Sequence, residues 1–324
     1  MKSPVLSILF LLISVTLLAV PNDFRFRHFS VEDGLSSNSV RAIMQDKYGF
    51  LWIGTEEGLN RYDGIMIKSY SICPQAAGKY ISSLYGTKKN IWIGTDEGIY
   101  IYAYATETFT YFDLTTPNNV RITSIVNHIL QDKDGNLWFS TNGQGLFRYN
   151  LSKNYLEQYE FTSAFGIVAS TMADSDNQIW ALTNQGESGV YKLNKAENKF
   201  EPFGLLYNAG NHHSQALAML EDSEQTLWLG TWECGLQKID KYTRQTTTYL
   251  HPTDGKGVTH IHSLMEYAPH QLLIGSDDGL LLFNTLTEEY KLFTENETVP
   301  NSLSNRFVYP IINCLLYTSD AADD

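Results

Sequence analysis

The sequence predicts an all-β protein, a seven-bladed β-propeller truncated to six four-stranded blades and the start of a seventh. Three observations predict it. A tryptophan-centred motif returns at a blade-sized period, each period breaks into short extended segments divided by turn residues, and helical periodicity is absent beyond the N-terminal apolar run. Composition agrees: of 324 residues, 43% are hydrophobic, 13% aromatic and 18% charged, a balance that favours strands and excludes disorder or collagen. With 23 Lys and Arg against 36 Asp and Glu, the formal charge of −13 gives no basic footprint for phosphate backbones, so nucleic acid is excluded as a partner of this segment.

The motif Leu51-Trp-Ile-Gly-Thr-Glu-Glu-Gly-Leu59 returns as Ile91-Trp-Ile-Gly-Thr-Asp-Glu-Gly-Ile99 and as Leu137-Trp-Phe-Ser-Thr-Asn-Gly-Gln-Gly-Leu146. It continues as Ile179-Trp-Ala-Leu-Thr183, Leu227-Trp-Leu-Gly-Thr-Trp-Glu-Cys-Gly-Leu236 and Leu272-Leu-Ile-Gly-Ser-Asp-Asp-Gly-Leu280. The aligned positions, Trp52, Trp92, Trp138, Trp180, Trp228 and Leu273, lie 40, 46, 42, 48 and 45 residues apart.

The first unit shows the four strands best. Strand A is expected over Val40 to Gln45, B over Phe50 to Thr55, C over Leu59 to Tyr62 and D over Ile65 to Tyr70, with Asp63-Gly64 as the last tight turn. Strand B is apolar on both sides of its pleat, as a sheet sandwiched between two neighbours requires. Burying roughly 200 Å² of indole at about 25 cal/mol/Å² contributes up to about 5 kcal/mol per blade. The glycine two positions on, Gly54, Gly94, Gly230 and Gly275 in four of the units, shares the tryptophan's pleat face and leaves space beside it.

The ends read differently. Lys2 and the apolar run Val5 to Val20 make residues 1–21 a secretory signal peptide and imply export; sixteen helical residues span about 24 Å against a hydrocarbon core of about 30 Å. The last eleven residues, Cys314 to Asp324, read as a translated sequencing adapter rather than native protein, leaving 22–313 for the propeller and a charge of −10 once Asp320, Asp323 and Asp324 are set aside. Cys73 and Cys234 suit free, partly buried thiols better than a disulfide. No metal-ligand spacing and no cofactor motif occurs.

Together with the opening Phe24-Arg-Phe-Arg-His-Phe-Ser-Val-Glu-Asp-Gly-Leu-Ser-Ser-Asn38, the repeat resembles the two-component regulator propeller. That family forms the periplasmic sensor region of hybrid two-component systems of Bacteroides type. The resemblance implies two consecutive seven-bladed propellers followed by an immunoglobulin-like domain, a membrane helix, a histidine kinase, a receiver and a DNA-binding domain. It also implies glycan-fragment ligands, a homodimer as the full-length protein, and membrane attachment only through the downstream helix. Ser302 to Ile312 then reads as strand A of a seventh blade, and Phe24 to Phe29 is placed to complete that blade. An incomplete ring with exposed strand edges is expected.

Function is expected where the B–C turns and the D-to-A loops meet, around the central channel. Glu57, Asp96, Asn142, Gln185, Glu233 and Asp277 could accept hydrogen bonds from sugar hydroxyls, and Trp232, outside the repeat position, could stack on a sugar face. Tyr207 and His212 stand in the longest D-to-A loop, and His260 and His262 in the next. The bland alternative makes the carboxylates solvated turn formers. A non-catalytic scaffold for dimerisation is the rival reading. A propeller glycosidase or lyase is less well supported, because no arginine triad, nucleophile elbow or phosphate-cradling loop can be recognised.

Overall fold

Each repeat folds as a meander whose A strand faces the axis and whose D strand lies outermost. The structure is a computed structural model that describes residues 24–73, 79–161, 166–183, 189–204, 215–251, 257–296, 298–299 and 302–314. Among them are six four-stranded antiparallel sheets, every one ordered A-B-C-D. The A strands Val40–Gln45, Ile81–Gly86, Val126–Gln131, Val168–Ala173, Ala216–Glu221 and Ile261–Ala268 adjoin one another in succession. The sheets therefore fan around a shared axis. Residues 1–21 and the tail beyond Cys314 lie outside the described residues.

Blade 1 follows the sequence reading except in strand D, which runs Ile67–Tyr70 rather than from Ile65. The turn is longer because Asp63 Oδ1 accepts the backbone N–H of both Ile65 and Met66, leaving Ile65 90% exposed. Strand B, Leu51–Thr55, is buried throughout, as its two-sided apolar pattern requires.

The indoles wedge between blades. Trp52 is 1% exposed and meets Tyr102 of blade 2 at 5.1 Å between ring centroids; Trp92 meets Phe139 of blade 3 at 5.7 Å and Trp228 meets Phe283 of blade 6 at 6.1 Å. The space that the glycines leave beside them is filled by the next blade. A Cβ on Gly54 would lie 2.5 Å from Ile81 Cγ2, one on Gly94 2.9 Å from the Val126 Cβ, and one on Gly230 2.5 Å from Ile261 Cγ2. The first residue of each following A strand thus sits where a side chain would otherwise stand.

Four of the indole N–H groups are held by an aspartate six positions earlier. Trp52, Trp138, Trp180 and Trp228 donate from Nε1 to Asp46, Asp132, Asp174 and Asp222 at 2.8, 2.8, 3.0 and 2.7 Å. The other oxygen of each carboxylate closes the A–B turn by accepting backbone N–H groups, such as those of Tyr48 and Phe50 on Asp46. The Asp132 turn, which loosely resembles the aspartate box of sialidases, is accordingly a structural device. Blade 2 carries Gly86 at this position, and the Trp92 indole nitrogen is buried with no partner.

No seventh four-stranded sheet is present among the described residues. Extended chain fills that position instead. Val308 donates from its backbone N to the Ser276 carbonyl at 2.9 Å and lies against Gly275, the place an A-strand residue takes in the other blades. Phe24 and Phe26 pack with Leu303, Val308 and Ile311 on the Leu273 face of blade 6, while Phe29 and Ile312 pack on blade 1. His28 Nε2 reaches the Ser302 carbonyl at 2.7 Å.

Candidate functional site

The second residue of each A strand points into the channel. Arg41, Ser82, Asn127, Ala169, Leu217, His262 and Tyr309 border one cavity of about 580 Å³. Its lining is uneven. Blades 6 and 1 and the extended chain between them supply Arg41, His262 and Tyr309, Tyr80 and His128 add an aromatic ring and an imidazole from the blade 2 and blade 3 side, and blades 4 and 5 supply small or apolar groups such as Ala169 and Leu217.

A continuous chain of contacts runs along the polar side. Trp232, 37% exposed, stacks on His260 at 3.7 Å between centroids. His260 Nδ1 and His262 Nε2 both donate to Asp277, the latter at 2.7 Å. The His262 ring packs on Tyr309 at 4.4 Å, and the Arg41 guanidinium lies 4.8 Å from the centroid of the same Tyr309 ring. Arg41 in turn donates from Nε and Nη2 to Glu56.

The local fold explains the pairing. The residue after strand B, Glu56 or Asp277, faces its own blade's channel-lining A-strand residue, because the strand ends are in register, Val40 with Thr55 and Ile261 with Ser276. Burial works to raise the Asp277 carboxyl, but hydrogen bonds from the two histidines outweigh it and hold the group below the ordinary aspartate value. Burial pushes His262 down despite Asp277, so it stays a neutral donor beside an ionised acceptor. Deeper in the channel, His128 faces the cavity yet is enclosed by the ring; burial lowers it to about 4, and its Nδ1 has no partner.

The sequence-predicted rim residues fall into distinct places. Trp232 and Asp277 join the chain of contacts, so neither presents a fully uncommitted surface. Asn142 is exposed and borders the cavity. Asp96 lies 3.8 Å from the Lys79 ammonium, whose nearer partner is Glu97. Glu57 and Glu233 are exposed turn residues. Gln185, Tyr207 and His212 lie outside the described residues. Sequence reasoning missed Arg41 and Tyr309, which come from blade 1 and from the extended chain after blade 6. Among the described residues Cys73, Cys234 and Cys314 form no disulfide.

Comparison with known proteins gives these folds and residues a context. The family model described as two component regulator propeller matches residues 34–57 and 120–143. Histidine kinase P4 of Formosa agariphila is 26% identical over 293 residues, covering 85% of this chain and 21% of that protein. The extracellular domain of the hybrid two-component system BT3049 of B. thetaiotaomicron aligns with a TM-score of 0.75 at 22% identity, over 90% of this chain and 39% of that one. That of BT4673 aligns at 0.76 and 22%, over 90% and 37%. The chain thus spans well under half of each relative's length. The repeat, the six blades and the matched segments agree in likening this chain to the two-component regulator propeller.

Proposed function

We propose that this chain is the periplasmic ligand-sensing propeller of a hybrid two-component sensor histidine kinase and response regulator, that it takes an oligosaccharide fragment at the channel mouth, and that the full-length protein regulates transcription as a homodimer. The family match, the kinase relative and the extracellular-domain neighbours support the sensor assignment, and the N-terminal apolar run supports export. One observation carries the binding site. The exposed indole of Trp232 stacks on His260, and through Asp277 the contacts continue to His262, Tyr309 and Arg41, which border the open cavity.

A sugar's C–H face would stack on the outer side of Trp232 while its hydroxyls meet Asn142 and the exposed carboxylates. The segment binds and does not cleave. Calorimetric titration of the chain with neutral and acidic oligosaccharides tests this, with Trp232→Ala expected to weaken binding about tenfold through lost stacking. Equal affinity of the two proteins removes Trp232 from the site, and products formed from a labelled glycan replace binding with catalysis.

A further inference from the structure

On the face opposite the mouth, between blades 1 and 2, lies a cavity of about 220 Å³ bordered by Asp46, Tyr48, Phe50, Trp52, Arg61, Tyr102, Tyr104 and Glu107. Its walls are aromatic. Two buried polar atoms there, Arg61 Nε and Tyr104 Oη, have no hydrogen-bond partner. In native proteins such atoms are usually satisfied by water, an ion or a ligand.

Comparison of equivalent blade positions sharpens the anomaly. A cation lies over the repeated indole in four blades, Arg61 on Trp52, Arg148 on Trp138, Lys192 on Trp180 and Lys238 on Trp228. Across to strand D, Arg148 faces Glu157 and forms an ion pair with it; Lys192 faces Glu201 and Lys238 faces Thr247. Arg61 faces Lys68. Both cations approach the Tyr70 ring, at 5.6 and 4.8 Å, and like charges directly opposite destabilise a strand pair.

Asp63 lies close enough to feel the Arg61 charge, but neither cation is held in an ion pair among the described residues. Among the described residues no carboxylate lies within ion-pair distance of Arg61. Asp46 already accepts the N–H groups of Tyr48, Phe50 and Trp52, and Glu107 is exposed at the rim. A third cation, Lys47, sits over the Tyr48 and Tyr104 rings at 4.7 and 4.6 Å. Asp46, Asp63 and Glu107 match the three cations in number, but among the described residues none of the cations is ion-paired with them, and all three are set against ring faces.

We propose that this cavity is a second binding site, separate from the mouth, for a carboxylate borne on a ring. The carboxylate takes the Arg61 fork, the ring lies against the Tyr48, Phe50 and Tyr104 faces, and the Tyr104 hydroxyl donates to the ligand. The test titrates the whole chain calorimetrically with galacturonate and benzoate, the two sources of that chemistry, and with neutral galactose. At least one of the acids binds saturably in the millimolar range, and galactose does so at least about tenfold more weakly.

Lys68→Glu places in blade 1 the partner that Arg148 has in blade 3, and is expected to abolish or weaken the acid's binding about tenfold or more without lowering the unfolding midpoint. Arg61→Gln has the same effect on binding, whereas Trp232→Ala, at the other face, leaves it unchanged. Failure of both acids to bind saturably, equal binding of galactose, or undiminished binding by folded Lys68→Glu overturns the proposal. Oligosaccharide binding sensitive to Trp232→Ala, together with failure of both acids to bind, would leave the mouth site standing and this one refuted.

Discussion

Replacing Asp132 by Ala isolates what the aspartate beneath each indole does. Asp132 accepts from Trp138 Nε1 at 2.8 Å, from the Asn136 backbone N at 2.8 Å and from Asn136 Nδ2 at 2.9 Å. All of these groups are buried, with Trp138 1% exposed. Hydrogen bonds to a charged acceptor contribute about 1.5–3 kcal/mol each, and an orphaned buried donor costs about 1–3 kcal/mol. Relief of the carboxylate's own desolvation offsets part of the loss. The net destabilisation is expected to be about 3–4 kcal/mol, read as a lower urea midpoint at unchanged slope.

Trp138→Phe alone removes the donor and some apolar area, and the double variant should recover about 1–2 kcal/mol relative to the sum of the singles. Blade 2 provides the control, because the Trp92 indole N–H has no acceptor. There, Trp92→Phe should cost only the packing. If Asp132→Ala lowers stability by less than about 1 kcal/mol, or if the double-mutant coupling vanishes, the aspartate is a turn former and not a latch.

Gly230→Ala should destabilise by about 1–3 kcal/mol, since the added methyl would stand 2.5 Å from Ile261 Cγ2, whereas Gly64→Ala, with nothing within 4 Å and φ +99, should cost only about 1 kcal/mol of backbone strain; thermal unfolding of both distinguishes crowding from conformation. Acidification should destabilise the fold through His128. Its folded value is lowered to about 4 from 6.5, so the unfolded chain takes up a proton first, and stability that is full above pH 6.5 declines by roughly 3 kcal/mol as pH falls toward 4. His128→Gln should flatten that part of a stability–pH curve; an unchanged slope would show that His128 charges freely in the folded channel. Asp277 acts in the same direction at lower pH, its depressed carboxyl losing its contribution as pH falls through the folded value, which Asp277→Asn should remove.

The repeat was legible because it is written in residues that have one physical solution. An indole, a glycine and a threonine on a strand buried on both faces specify blade, neighbour and turn together. The aspartate latch was equally visible, six positions before four of the tryptophans, but its meaning depends on an indole N–H whose direction the sequence does not record. Strand D of blade 1 was read too long because the reach of Asp63 across its turn was not weighed. The mouth was harder. Trp232 and Asp277 stood out as loop residues, yet Arg41 and Tyr309 reach them only because ring closure brings together positions nearly 270 residues apart, and no local pattern announces such a meeting. Arg61 was invisible for the opposite reason, since its importance lies in a missing partner, noticeable only when the strand pairings of several blades are compared.

The glycines have a wider consequence. Each is a notch cut in one sheet, and the tongue that enters it is the leading aliphatic residue of the sheet that follows, as Gly54 receives Ile81 and Gly230 receives Ile261. The joint has a direction, and four of the six units carry the notch, Ser140 and Leu182 standing at that position in blades 3 and 4. A gene segment encoding a blade that has both halves can therefore be duplicated or excised beside its like without redesigning the joinery, and the circumference of the wheel, more than the fit of its staves, is what such a change alters.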